Sequence, residues 1–376
     1  MKFGWSSRSL FLRHREFIFV GVAMNQSENR PWPKQAWYVA ATSEEVQDKP
    51  LGRKICGHRM VFFRNTKGDI GALEDFCPHR GAALSLGYIE GDHLVCGYHG
   101  LAVGCSGKVE AMPKQRTKVF PRALAFPVVE RYGFIWVWPG VVEQANINEI
   151  PVLEWFNNPD WAYAGGIYHV RSDYRLMIDN LMDLTHETYV HRDTIGQKEI
   201  DEAPVDTYVE DEEVFTKRFM YDIPAPPFWR MALKTEGLPD DRNVDRWQIC
   251  KFSLPSNVML DVGVAPLGEG GHSAPKGKKV NSIVVDFITP ETETTHWYFW
   301  GLARSFSVSD HELTKRIQKE QGRIFGEDLE VIEQQQANLS RYPEKKLLRL
   351  DIDAGGVRSR MLIDRVLKKE LNQDIA

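Results

Sequence analysis

Two short stretches of this chain hold metal-ligand side chains at a spacing that packing alone has no reason to produce. Cys77-Pro78-His79-Arg80-Gly81 is followed by Cys96-Gly97-Tyr98-His99-Gly100, a C-x-H pair and a C-x2-H pair with sixteen residues between them. Two thiolates and two imidazoles suit a tetrahedral zinc ion. They equally suit a [2Fe-2S] cluster in which two histidines replace two cysteines on one iron and raise its potential. Spacing separates the two readings, because zinc fingers put two or more residues between paired ligands and group like with like. One Cys and one His in each loop favours the cluster, with Cys77 and Cys96 on one iron and His79 and His99 on the other. Gly81 and Gly100, closing each motif, let backbone come close enough to donate hydrogen bonds to sulfur. The other cysteines, Cys56, Cys105 and Cys250, read as packing residues.

A second candidate centre lies in Asn180-Leu181-Met182-Asp183-Leu184-Thr185-His186-Glu187-Thr188-Tyr189-Val190-His191, where D-x2-H-x4-H falls in a helical pattern. An isolated histidine pair on a polar helix face is usually incidental. On an ideal helix His186 and His191 stand about 140° apart, so they share a metal only if the helix is distorted or ends between them. Two histidines and a carboxylate would form the facial triad of non-heme iron(II), which leaves positions open for oxygen. Asp328 is the candidate carboxylate. It falls inside the apolar arc of Ile324, Phe325, Leu329, Val331 and Ile332, while Glu327, Glu330 and Glu333 are expected to point away. A carboxylate turned toward a core is costly unless paired or bound to a metal. Gln321 and Gln335, seven residues to either side, would support it.

The elements that must position these groups change character along the chain. From Trp37 to about Gly140 the pattern is short strands and turns: Met60 to Arg64, Ile70 to Phe76, and Phe134 to Trp138. Beyond a polar connector, with a boundary near residue 145, longer helices mix with strands. Tyr174 to His191 reads as one helix, and residues 309–339 as the longest, opened by a Ser309-x-x-Glu312 capping box. A further helix is expected over Arg358 to Leu371. Ile283 to Ile288 and His296 to Phe306 read as strands around a Thr289-Pro290-Glu291 turn, and Leu267 to Asn281 as a mobile surface loop that could lie over a site.

Composition narrows the partners. A chain of 376 residues exceeds what one core usually serves, so two domains are expected. With 43% hydrophobic and 26% charged residues and a net charge of -5, neither nucleic acid nor a membrane surface is indicated. Five cysteines form no disulfide framework and point to a reducing, cytoplasmic setting. The apolar run Phe17 to Met24 is too short for a span and lacks a cleavage site. Residues 1–31 are therefore expected to be a tail or a misassigned start, with Met24 as the alternative initiator.

Together, C-P-H-R-G, C-G-Y-H-G and N-L-M-D-L-T-H-E-T-Y-V-H resemble the motifs of the Rieske oxygenase α-subunits, a family of non-heme iron aromatic oxygenases. Similarity to the vanillate O-demethylating branch extends through Tyr174 to Asp179, Pro226 to Met231 and Phe325 to Asp328, and covers nearly all of the chain from Trp32 onward. The resemblance implies an α+β chain. An all-β Rieske [2Fe-2S] domain (32–145) would precede a helix-grip, START-like catalytic domain (146–376) with an antiparallel sheet and a long helix. It implies that His186, His191 and Asp328 bind a mononuclear Fe(II), and that Asp183 bridges His186 to His99 of a neighbouring subunit in a head-to-tail homotrimer. Electrons would come from NAD(P)H through a separate flavin and [2Fe-2S] reductase, since the chain has no Gly-rich dinucleotide fingerprint.

The implied reaction is hydroxylation of the methoxy group of vanillate with O2, giving protocatechuate and formaldehyde. The nearest rival within the class acts on another methoxyarene or on an aromatic methyl group. Outside it stand a bare electron carrier, which would hold two irons rather than three, and a colourless structural zinc protein. Residues that bind substrate are not legible, although Arg230, Asp286 and His296 could take part beside an aromatic wall.

Overall fold

The computed structural model describes residues 31–115, 119–192, 195 and 198–375. All of the expected tail but Pro31, Met24 included, lies outside them. Residues 38–137 alternate short strands with turns: β1 (Tyr38–Thr42), β2 (Leu51–Ile55), β3 (His58–Arg64), β4 (Ile70–Glu74), β5 (Tyr88–Glu90), β6 (His93–Val95), β7 (Ala102–Val103), β8 (Val109–Ala111), β9 (Val128–Arg131) and β10 (Phe134–Val137). They pair into three small antiparallel sheets, β1-β10-β9, β2-β3-β4 and β5-β6-β7-β8. The cysteine loops follow β4 and β6, so each ligand pair leaves a paired strand end.

The remainder is one antiparallel sheet of seven strands: β11 (Ala162–Val170), β12 (Val205–Glu210), β13 (Glu213–Ile223), β14 (Val244–Ser253), β15 (Asn257–Pro266), β16 (Val280–Thr292) and β17 (Thr295–Arg304). Its order is β11-β17-β16-β15-β14-β13-β12. Among the described residues six helices accompany it: α1 (Tyr174–Leu181), α2 (Glu187–Val190), α3 (Lys198–Glu202), α4 (Pro227–Thr235), α5 (His311–Arg341) and α6 (Ala354–Ile375). The two parts share a core in which Trp136 packs edge-on against Phe287 at 5.1 Å between ring centroids. They are also stitched by backbone, with Cys56 N donating to Pro290 O at 2.7 Å.

Several expected boundaries move, each for a local reason. The helix over Tyr174 to His191 is two helices, because the Asp183 carboxylate accepts from both the backbone N–H and the hydroxyl of Thr185 (2.7 and 2.6 Å), an alternative that competes with helical bonding. Thr289-Pro290-Glu291 is not a turn. Proline is tolerated inside β16 because the pairing with β17 shifts register between Pro290 and Thr292. α5 is capped by Asp310, whose side chain accepts from Leu313 N at 2.8 Å, in place of Ser309. The segment after Pro266 lies against the sheet face away from the cavity described below, with the His272 ring 5.3 Å from Trp247, and so does not cover that cavity.

α5 runs along β11 and β17 and buries a stripe of Leu313, Gly322, Phe325, Asp328 and Ile332. Contact is closest at Gly322. The Tyr168 hydroxyl donates to its carbonyl at 2.8 Å, and a Cβ there would stand 3.2 Å from the Trp300 ring. Gly322→Val should therefore push the helix off the sheet and cost about 1–3 kcal/mol, read as a lower midpoint in denaturant unfolding of the metal-loaded protein.

Candidate metal centres and the cavity between helix and sheet

In the β-rich part, the two ligand loops repeat one geometry. Gly81 N donates to Cys77 O at 2.8 Å and Gly100 N to Cys96 O at 2.9 Å. Both glycines have positive φ, 70° and 73°, a conformation that costs a residue with a side chain. In each loop the cysteine N–H also donates five residues ahead, Cys77 to Ala82 O and Cys96 to Leu101 O, both at 2.8 Å. The result is a buried thiol pair and, above it, an exposed imidazole pair, with the His79 and His99 rings 4.7 Å apart. Burial pushes the Cys77 thiol up, and Cys96 beside it adds to this, so a metal binding that sulfur would displace its proton. Segregation into thiols below and imidazoles above suits a cluster with unlike ligands on its two irons.

The second centre is assembled by three elements. The break after α1 frees residues 182–186, and His186 opens α2 while His191 closes it. Asp328 comes from the buried stripe of α5. Among the described residues, these are the three whose ligand atoms all lie within 4.8 Å of one another. His186 Nε2 is 3.4 Å from Asp328 Oδ1, and His191 Nε2 is 3.2 Å from Oδ2. Each imidazole is held from behind. His186 Nδ1 donates to the backbone carbonyl of Asp183, and His191 Nδ1 to the Glu327 carboxylate at 2.8 Å. Those bonds occupy Nδ1 on both rings and turn Nε2 toward the centre, where it donates to Asp328 while the imidazole is protonated and presents a lone pair to a metal that displaces that proton. Burial alone would raise the Asp328 carboxyl, but the two imidazoles more than reverse this and hold it down at about 2. Asp328 correspondingly lifts both histidines against the opposing effect of burial. Two Nε2 donors and one ionised carboxylate, on one side of a cavity, are the donor set that fits non-heme iron.

The supporting residues differ from those expected. Glu327 does not point away from the centre, since it turns back to orient His191. Asn180 donates to Asp328 Oδ1 at 3.1 Å, the role expected of glutamine. Gln321 lines the cavity and Gln335 a separate surface groove. Asp183 reaches His186 through its backbone carbonyl, while its carboxylate serves Thr185. Asn180 lies in the motif itself, and its amide at helical spacing before the histidines was the available signal.

A cavity of about 820 Å³ ends on these three residues. Its floor is the inner face of the sheet, where alternate residues of each strand point inward: Val258, Leu260 and Val262 from β15, and Ser282, Val284 and Asp286 from β16. Its roof is α5, and α4 closes one end with Phe228 and Trp229. The wall by α2 is polar, with Gln248 Nε2 donating to the buried Glu187 carboxylate at 2.8 Å and Arg218 donating to Gln248 Oε1. Arg246 is the buried cation of the lining and Arg316 an exposed one. Asp286 is in the lining, but Arg230 and His296 are not: Arg230 is exposed on α4, and His296 is buried against Ser172 O.

Residues 36–129 match the Rieske [2Fe-2S] domain, and residues 170–369 match the vanillate O-demethylase oxygenase C-terminal domain. The chain is 60% identical to a vanillate O-demethylase oxygenase subunit of Pseudomonas sp., over 90% of its own length and 96% of the relative's. It belongs to the Rieske oxygenase family. The Rieske [2Fe-2S] match spans the Cys77 and Cys96 loops, and the C-terminal match spans His186, His191 and Asp328. The fold is similar to that of dicamba monooxygenase bound to 3,6-dichlorosalicylic acid, with a TM-score of 0.82, 32% identity and coverage of 90% of this chain and 98% of that one. The same Rieske oxygenase with non-heme iron and dicamba superposes with a TM-score of 0.78 at 30% identity, over 90% of this chain and 98% of that one. Among the described residues no helix is long and apolar enough to cross a membrane.

If the triad holds iron, Asp328→Ala should remove one iron of three per chain and leave the visible spectrum of the cluster intact. Glu327→Ala, which frees His191 to turn, should weaken iron affinity about 10–100-fold. Iron content after dialysis against graded chelator measures both.

Proposed function

We propose that this chain is the oxygenase component of a vanillate O-demethylase, oxidising the methoxy group of vanillate with O2 to release formaldehyde and protocatechuate. The observation that carries this reading is a cavity of about 820 Å³ that ends on His186, His191 and Asp328 and sets the buried cation Arg246 beside a largely apolar floor. The 60% identity to an oxygenase subunit of that name supports it. In this reading Cys77, His79, Cys96 and His99 hold the [2Fe-2S] cluster, and His186, His191 and Asp328 the mononuclear iron. The division between the two domains falls near residue 145, between the matched segments.

When bound, the cluster supplies electrons and the mononuclear iron the activation of oxygen. The chain's own work is positioning. Asp183 O and Glu327 fix the imidazole rings, Asn180 fixes the carboxylate, and the apolar floor excludes water around the methyl group. Arg246 takes the substrate carboxylate by a charge-assisted bond. Insertion of one oxygen atom of O2 into a methyl C–H, the other atom leaving as water with two electrons from NAD(P)H and two protons, gives a hemiacetal that collapses to the catechol and formaldehyde.

Partners follow from the same reading. A separate NAD(P)H-dependent flavin and [2Fe-2S] reductase delivers electrons, and three chains assemble head to tail so that Asp183 links His186 to the neighbour's cluster. Unpaired cysteines are in keeping with a cytoplasmic setting.

With a compatible reductase, NADH and vanillate under air, the protein should form protocatechuate and formaldehyde in equal amounts, and Asp328→Ala should form neither. Consumption of NADH with neither product from wild type would reject vanillate as substrate. Arg246→Leu should raise KM for vanillate about tenfold or more while kcat changes little, as expected when binding in ground and transition states is lost together.

A further inference from the structure

The floor of the cavity carries one acidic side chain, Asp286, which the metal centre does not use. It is 1% exposed, and the Tyr298 hydroxyl donates to its Oδ1 at 2.7 Å. Among the described residues, its second oxygen meets no donor, and the residue is part of the cavity lining. Burial pushes this carboxyl up to about 8 despite the Tyr298 bond. At neutral pH it therefore keeps its proton. With Oδ1 occupied as an acceptor, the proton sits on the oxygen that faces the cavity.

Its place along the floor is set by register. Asp286 pairs with Val258 on one side and Trp300 on the other, and Ser282, four residues before it on the same face, lies about 13 Å away toward the opposite end. Phe325, one turn before Asp328 on α5, packs edge-on against Tyr298 and Trp300 at 5.5 and 5.4 Å. Asp286 thus stands at the metal end of the cavity, while Arg246 is paired two strands away with Val264, beyond the Ser282 row. A ring held at its carboxylate by Arg246, with its methoxy carbon at the triad, brings the substituent ortho to the methoxy group toward this end of the floor.

We infer that Asp286, held by Tyr298, is a specificity-determining residue that donates a hydrogen bond to the phenolic oxygen of an ortho-methoxyphenol. The inference rests on the vanillate reading and narrows it to guaiacyl-type rings, against methoxybenzoates that lack the hydroxyl. Loss of a donor's partner leaves a buried polar group unsatisfied, so the site should reject the analogue as well as favour the substrate.

The test is calorimetric binding of vanillate and of 3-methoxybenzoate to the iron-loaded protein without reductase, so that no turnover is needed. Wild type should bind vanillate about tenfold or more tightly than 3-methoxybenzoate. Asp286→Asn, whose amide accepts from Tyr298 and donates into the cavity, should keep that preference. Asp286→Ala should bring the two ligands to within about threefold, chiefly by weakening vanillate. Tyr298→Phe, which releases Oδ1, should reduce the preference without abolishing it. Equal binding of the two ligands by wild type, or an unchanged preference in Asp286→Ala, overturns the inference while leaving the vanillate reading standing. Should Asp286→Ala fail to fold, the wild-type ratio and Asp286→Asn decide: loss of preference in the amide variant also overturns it. If wild type binds neither ligand, the vanillate reading itself fails and the inference with it.

Discussion

Two imidazoles from one helical segment cannot face a single point while that segment stays helical, and the second metal centre depends on how this conflict is resolved. Asp183 takes the Thr185 N–H and hydroxyl onto its side chain, ending α1 and letting the chain restart as α2 in a new direction. The same residue's carbonyl then receives the His186 Nδ1 proton. One local turn therefore places the histidines and sets the tautomer of one of them. The price is a broken helix, offset by Asn180 and Glu327, whose bonds tie the break to α5.

The opposing helix has a matching constraint. α5 can carry a buried carboxylate only because it is pressed against the sheet over much of its length, and the glycine at 322 permits that approach above Trp300 and Tyr168. Asp328 sits in an apolar stripe where an unpaired charge would be expensive, and the facing imidazoles keep it ionised. Burial has the opposite result a short distance away. Among the described residues Asp286 has only a neutral hydroxyl bonded to it, and burial favours its protonated form. Two carboxyl groups near the same cavity are held in opposite protonation states by their immediate neighbours, which separates a metal-binding role from a hydrogen-bonding one.

In the β-rich part the constraint is on backbone. Two loops of unlike sequence close with the same pair of hydrogen bonds and the same left-handed glycine, burying a thiol and exposing an imidazole each time. Surrounding strands are short because they need only fix the loop ends. The core they share with the seven-stranded sheet, through Trp136 and Phe287, and the bonds from Cys56 to Pro290 and Gly57 to Glu291 make the position of this domain part of the fold.

Much of this was legible in the residues. Ligand types and spacing pointed to both candidate centres, because a metal restricts its donors more tightly than any core restricts its apolar residues, and the arc around Asp328 marked the carboxylate that α5 buries. The division into a strand-rich and a mixed part, and the long helix, followed from periodicity. What tertiary structure alone decided is mostly polar. Nothing in the periodicity distinguishes Glu327, which turns inward, from Glu330 and Glu333, and the choice of Asn180 over Gln321 or Gln335 depends on a helix packed from elsewhere in the chain. Pro290 inside a strand, and a glycine-rich segment packed away from the cavity, depend on partners remote in sequence. So does the cavity lining, where Arg246, Gln248 and Asp286 meet across strands whose register no local signal records. Ligand chemistry is a property of side chains and their spacing, whereas hydrogen-bond partners and protonation states belong to whatever the fold brings within 3 Å.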